Sequence, residues 1–241
     1  MIVFKGWQKT SLMEYPDKIS TVLFTGGCNF RCPYCYNSEL VLTPEKNKNI
    51  SEYDVLEHLN NNKYYQAVIV SGGEPCLQPG LISFFKKVKS SGFLTGLETN
   101  GAFPEVIKSL LDSGLLDYIA MDIKAPLDID KYSNAIGIID NHKLLKTILK
   151  KIKQSIEIIS NSGIKYEFRT TFTPEIHRLE DADAIAENVK GNYAIQCFIP
   201  KETVMNRSFN KVNTIFNGQL KNTFNRIKNQ YKFNKISIRN I

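Results

Sequence analysis

Three cysteines fall within eight residues, Cys28-Asn-Phe-Arg-Cys32-Pro-Tyr-Cys35, directly after the glycine pair Gly26-Gly27. With three and then two residues between them, their thiolates can converge on one small inorganic centre. Cys76 and Cys197 complete an odd total of five cysteines, and clustered thiols in a reducing compartment bind metal more often than they form disulfides. Three ligands leave one position open, either the fourth corner of a tetrahedral zinc or the fourth iron of a cubane cluster, and an open position points to reactivity rather than scaffolding. A zinc site needs a fourth ligand, and none of His58, His142 and His177 stands at finger-like spacing. These read as exposed or capping histidines, and Cys76 and Cys197 as small core side chains.

Further polar groups each close an apolar run: Ser71-Gly72-Gly73-Glu74-Pro75, Glu98-Thr99-Asn100-Gly101, Met121-Asp122-Ile123-Lys124, Arg169-Thr170-Thr171 and Gln196-Cys197-Phe198. Adjacent glycines such as Gly72 and Gly73 let a main chain approach a ligand closely. The runs themselves predict strands over 21–25, 66–70, 94–98, 118–122, 166–170 and 193–198, rich in β-branched and aromatic residues. Between them, apolar residues spaced by three and four predict helices around Val55–Leu59, Leu81–Val88, Val106–Leu111 and Leu144–Ile159. Ser51 stands as an N-cap, and Gly92, Gly114 and Gly163 stand where helices must stop. Alternating strands and helices imply an α/β fold with a parallel sheet and right-handed crossovers, here an open-sided, partial (β/α)6 TIM-like barrel. Ligands in such sheets gather at the carboxyl ends of the strands, where all of these polar groups fall.

No linker or low-complexity segment divides the 241 residues, which read as a single domain. A lead-in of residues 1–20, hairpin-like with a turn at Tyr15-Pro-Asp-Lys, precedes a six-unit core over 21–200. A basic extension, 201–241, shows a helical pattern from Phe216 to Tyr231 and a strand pattern at Ile236 and Ile238, and is expected to pack on the core. That extension holds nine Lys or Arg against the single acid Glu202, so it accounts for the net charge of +7. Lysines scattered among Asn and Ile read as a solvated face, and nucleic acid is not expected as a partner. No run approaches the roughly 18–20 apolar residues of a spanning helix, and the first residues lack a signal-peptide pattern, so a cytoplasmic protein without membrane contact is expected.

The motif Cys28-x3-Cys32-x2-Cys35, with Tyr34 before its last cysteine, resembles the signature of the radical S-adenosylmethionine (SAM) superfamily. The resemblance implies a [4Fe-4S] cluster on the three cysteines, with SAM bound through the fourth iron. Gly72, Gly73, Glu74 and Pro75 resemble the segment whose backbone holds the methionine end of SAM. By the same resemblance Thr99, Asn100, Asp122, Lys124 and Arg169 border SAM, the backbone of Tyr36 meets the adenine and Phe198 packs along it. Glu98 and Asp122 are then candidate ligands for a monovalent cation.

Residues 5–18 and 24–37 are similar to the corresponding segments of anaerobic ribonucleotide reductase activating proteins, with Tyr36 and Cys76 as departures. The similarity runs from about residue 5 to residue 200 and fades through the tail. It implies an oxidoreductase that takes an electron from a flavodoxin- or ferredoxin-like donor, cleaves SAM to a 5′-deoxyadenosyl radical and installs a glycyl radical on a partner enzyme, anaerobic ribonucleotide reductase. The resemblance calls for no separate general base. A minimal barrel with an uncovered side suits a glycine-bearing loop of a macromolecule. Three alternatives stand beside this reading: activation of another glycyl radical enzyme of the pyruvate formate-lyase type, action on a small molecule or peptide, and, outside enzymes, a zinc-binding interaction module.

Overall fold

A computed structural model describes residues 1–209 and 213–240. Lys211, counted among the basic residues of the tail, lies outside them, as does Ile241.

One nine-stranded sheet organises the chain. β1 (Val3–Ser11) and β2 (Ser20–Thr25) form an antiparallel hairpin, so the expected lead-in hairpin is a full strand pair. The two-residue β3 (Ile50–Ser51) pairs with β1 at one edge. From β2 onward every neighbour is parallel: β4 (Ala67–Gly72), β5 (Leu94–Thr99), β6 (Tyr118–Asp122), β7 (Lys165–Phe172), β8 (Gly191–Cys197) and β9 (Phe233–Arg239). All six expected core strands are present. β3 and β9 end the sheet without meeting, which makes it an open barrel. The basic extension does more than pack on the core, since β9 adds a further parallel strand beside β8.

The connecting helices are α1 (Ser38–Leu42), α2 (Glu52–Asn61), α3 (Leu81–Ser90), α4 (Pro104–Asp112), α5 (Ile129–Ile136), α6 (His142–Ser160), α7 (Asp181–Ala186) and α8 (Thr214–Gln230). Ser51 caps α2 by accepting from Asp54 N. Gly92 and Gly114, with φ of +87° and +64°, end α3 and α4 in the left-handed region that glycine enters freely. No described helix is long and apolar enough to cross a membrane.

The period-two alternation of the strands sorts the core into two faces. Val68, Val70, Leu97, Ile119, Met121 and Phe168 join the large cluster that includes the buried helix side chains. Val22, Ala67, Ile69, Tyr118 and Ala120 form a second, smaller cluster inside the barrel, closed by Tyr15 from the β1–β2 turn. Gly96 makes room there, since a Cβ would lie 2.2 Å from Ile69 Cδ1 and that side chain would have to shift. Continuing the inward alternation toward the carboxyl ends brings Ser71, Glu98, Asp122 and Arg169 onto the wall of one cavity.

Candidate active site

The cavity encloses about 190 Å³ at the carboxyl ends of the strands. Cys28, Cys32 and Cys35 line one side of it. Tyr36, Gly72, Gly73, Glu98, Thr99, Asn100, Asp122, Lys124 and Arg169 line the rest. These residues come from five segments separated in sequence, so their convergence is a product of the fold.

The two glycine-rich turns lock into each other. Gly73 N donates to Thr25 O at 3.0 Å and Glu74 N to Gly27 O at 2.9 Å. A Cβ on Gly73 would stand 1.9 Å from Gly27 O, and one on Gly72 would stand 2.2 Å from Thr25 N with φ already at +120°. Glycine at both places thus holds the cysteine loop against β4, besides leaving bare backbone at the cavity.

Glu74 and Pro75 do not line the cavity. The Glu74 side chain is fully buried and accepts from Cys76 N, Thr99 Oγ1 and Asn100 N at 2.7 to 3.0 Å. It ties the end of β4 to the end of β5 and so places Thr99 and Asn100. Burial pushes its carboxyl up, against the pull of those three donors. Pro75 opens a short 3-10 turn behind it. Phe198 also lies off the cavity: its ring stacks on Tyr36, centroids 5.4 Å apart, because β8 ends behind the cysteine loop. Cys76 is buried against Thr99, and Cys197 is buried in the core, as expected.

Cys32 is buried and Cys28 and Cys35 half-buried. Burial raises all three thiols, Cys28 to about 11 and Cys32 to about 12, so loading with metal must displace protons. The donors around Cys28 favour its charged form. Phe30 N–H reaches its sulfur at 3.4 Å and Asn100 Nδ2 at 3.8 Å. Asn100 also donates to Asn29 Oδ1 at 2.8 Å, which fixes its amide. Among the described residues no three His, Cys, Asp or Glu side chains draw together tightly enough for one metal ion. Three thiols do line one cavity, and an all-sulfur donor set is the chemistry of an iron–sulfur centre.

Arg169 organises the opposite wall. Its guanidinium meets Glu98 Oε1 at 2.8 Å and Asp122 Oδ1 at 3.3 Å, while Lys124 Nζ meets Asp122 Oδ2 at 2.7 Å and Ser71 Oγ donates to Glu98 Oε2 at 2.6 Å. Burial works to raise both carboxyls, but the cations outweigh it and hold both below their ordinary values. All four carboxylate oxygens are engaged, so the expected monovalent-cation ligands bind Arg169 and Lys124 here.

Two contributors, Glu14 and Ser71, were not among the candidate site residues. Glu14 enters from the β1–β2 turn, 3.9 Å from Arg169, and burial with repulsion from Glu98 raises its carboxyl to about 7. Ser71 was legible in principle, since it alternates inward with Ile69. His177 is not an exposed or capping histidine. It is buried, its Nδ1 accepts from Thr173 N, and its Nε2 therefore donates to Lys124 O at 2.8 Å. His58 packs edge-on to Trp7, and His142 is exposed at the start of α6.

A strap of residues 198–209 braces the Pro33–Tyr36 end of the cysteine loop. Met205 N donates to Cys35 O, Asn206 N to Pro33 O and Ile199 N to Tyr36 OH, all between 2.8 and 3.0 Å. The loop is thus gripped by β4 on one side and by the strap on another.

Comparison with known proteins agrees with this construction. The sequence profile of the radical SAM superfamily matches residues 22–187. A protein of Methanocaldococcus jannaschii assigned as a glycyl-radical enzyme activating enzyme is 36% identical over 80% of this chain and 78% of its own length. The pyruvate formate-lyase-activating enzyme of Staphylococcus epidermidis is 34% identical over 51% of this chain and 53% of its own length. SuiB of Streptococcus suis, solved with its precursor peptide SuiA, shares the fold with a TM-score of 0.60 at 12% identity, covering 90% of this chain. The chain spans about half the length of SuiB, 47%.

Proposed function

This chain belongs to the radical SAM superfamily and, within it, to the glycyl-radical enzyme activating enzymes, and on that premise we propose that it installs the glycyl radical of an anaerobic ribonucleotide reductase. The observation that carries the reading is the convergence of Cys28, Cys32 and Cys35 with Gly72, Gly73 and the Arg169 network on one cavity. The family uses a [4Fe-4S] cluster and SAM, which when bound supply the radical chemistry by reductive cleavage of the sulfonium.

The chain's own residues perform the rest. Cys28, Cys32 and Cys35 would hold the cluster, and the N–H groups of Phe30 and Asn100 stabilise charge on Cys28 sulfur. Gly72 and Gly73 offer backbone to the amino end of SAM. Arg169 and Lys124 are the cavity's cations, and their acids hold them in place so that a carboxylate can be received without rearrangement. Tyr36 borders the cavity, where it would meet the adenine, its ring stacked on Phe198. The barrel leaves the cavity open to a loop of a second protein, which would bring the glycine whose Cα hydrogen is removed. A cytoplasmic setting and an electron donor of the flavodoxin or ferredoxin kind go with this reading.

Electron paramagnetic resonance tests this on anaerobically reconstituted protein, reduced with SAM present, alone and mixed with the ribonucleotide reductase. A reduced-cluster signal that gives way to a glycyl doublet in the mixture is expected. Cys32→Ala should stay folded yet hold no intact cluster and cleave no SAM; unchanged cleavage would sink the ligand assignment. The match to the Staphylococcus epidermidis enzyme supports a second reading, activation of pyruvate formate-lyase. A doublet obtained only with that partner would favour it.

A further inference from the structure

Helix α6 carries an unusual charge distribution. Leu145, Ile148, Leu149, Ile152 and Ile156 are buried, whereas Lys143, Lys146, Lys150 and Lys153 are exposed at intervals of three and four and share one outward stripe. Like charges at those spacings weaken a helix, and α6 has no acid in its first turn to suit the positive end of its dipole. Some basic side chains elsewhere meet acids: Lys89 with Asp117, Lys131 with Asp181, Arg226 with Asp183 and Arg239 with Glu167. Among the described residues none of the four stripe lysines has such a partner.

The chain enters α6 from a turn that touches the cysteine loop. Arg31 N donates to Ile136 O at 2.8 Å, and a Cβ on Gly137 would lie 2.2 Å from Arg31 O; α6 starts five residues later. Ser155, toward the other end of α6, reaches Gly101 O just past β5. The lysines therefore lie on the stretch of α6 between Ser155 and the turn that touches the loop. Arg31 itself is exposed, and its guanidinium donates to the carbonyls of Cys28 and Phe30 at 2.7 and 2.8 Å. It is absent from the cavity wall that Cys28 and Phe30 line, so it marks the loop's outer side. Ile139, 67% exposed, adds apolar surface in the segment that joins α5 to α6. An exposed apolar side chain beside charged ones suits a protein-binding face better than a phosphate track.

We propose that Arg31, Ile139, Lys143, Lys146 and Lys150 form the docking face for a small acidic one-electron carrier protein. The proposal rests on the radical SAM reading above and names where its reductant arrives. The cavity side is reserved for SAM and the glycine loop, so an electron must enter from elsewhere, and transfer slows steeply with distance. A carrier on this face would stand against the backbone of Cys28. It gives up one electron and is oxidised by one unit, as the cluster is reduced by one. Positive potential on this face speeds encounter with an acidic partner and weakens as salt rises.

The test uses the reconstituted holoenzyme and purified flavodoxin. Calorimetric titration at low and at physiological salt should give a Kd that weakens with salt. The triple variant K143E/K146E/K150E should weaken the low-salt Kd at least tenfold and flatten that dependence, while SAM cleavage driven by dithionite stays at the unmodified level. The milder K143Q/K146Q guards against misfolding and should lose a smaller part of the affinity, and K221E/K228E on α8 should lose none. Unchanged flavodoxin affinity in the triple variant overturns the docking face. So does a loss matched by the α8 variant, or tight binding of a duplex oligonucleotide to the stripe with no flavodoxin binding. Absence of dithionite-driven cleavage in the unmodified protein would instead strike the enzymatic reading, which keeps the two failures distinct.

Discussion

Arg169 shows how much one side chain can decide in this cavity. It faces three carboxyl groups, those of Glu98, Asp122 and Glu14. Its removal leaves Glu98 buried beside another acid with Lys124 as the remaining cation. Arg169→Gln should therefore cost about 3 kcal/mol of stability in urea denaturation and weaken SAM binding at least tenfold. Arg169→Lys should recover little, since an ammonium cannot span Glu98 and Asp122 as a planar fork does. Equal stability of the three proteins would refute the account. Glu14 gives a separate, pH-dependent readout. Its carboxyl is raised to about 7 in the folded chain from an ordinary 4.5, so the folded state binds the proton more tightly than the unfolded one. Stability from this group is full below about 4.5 and is lost as pH rises through about 7. Glu14→Gln removes that loss, and the Tm of the variant relative to the unmodified protein should climb between pH 5 and pH 8; parallel curves would exclude it. The cysteines and Arg169 were legible because motif spacing and strand-end position announce them. Glu14 was not, because its role comes from a turn entering the barrel from a remote part of the chain.

At the scale of elements, the cysteine loop is held by neighbours of different legibility. The strands and long helices were readable from period and glycine punctuation. α1, α5 and α7, of five, eight and six residues, are too short for a 3.6-residue period to establish itself. α5 nevertheless matters to the site. Asp128 caps it by accepting from Asp130 N and Lys131 N, and Gly137 ends it at φ +66° directly beneath Arg31. Any side chain at 137 must both adopt the left-handed conformation and displace the carbonyl of a loop residue lying between two cysteines. Gly137→Ala should therefore cost about 2 kcal/mol, and reconstituted protein should hold less iron and sulfide than the unmodified chain. A control at Gly163, where φ is +74° but a Cβ meets nothing within 4 Å, carries the backbone penalty alone. If both alanine variants lose iron equally, the bracing of the loop by α5 is wrong.

For the whole molecule, the question is whether the basic tail serves a partner or the fold. Its charge drew attention in the sequence, but its geometry answers differently. β9 pairs with β8 along most of its length, and α8 buries Phe216, Leu220, Phe224 and Ile227. Before them the strap donates backbone hydrogen bonds to Cys35 O and Pro33 O. Arg226 and Arg239 spend their charges on Asp183 and Glu167 inside the same chain. Burying four large apolar side chains on α8 is worth roughly 1.5 to 3 kcal/mol each, an amount comparable with the stability of an entire domain. A chain ending at Lys201 should consequently lose cluster retention, SAM cleavage and cooperative thermal unfolding together. A chain ending at Asn213 keeps the strap, so it should unfold at lower temperature yet retain more iron than the shorter one. Calorimetry with iron and sulfide analysis on both truncations checks this. A shorter chain that keeps its Tm and its SAM cleavage while failing only to activate the partner would return the tail to a docking role.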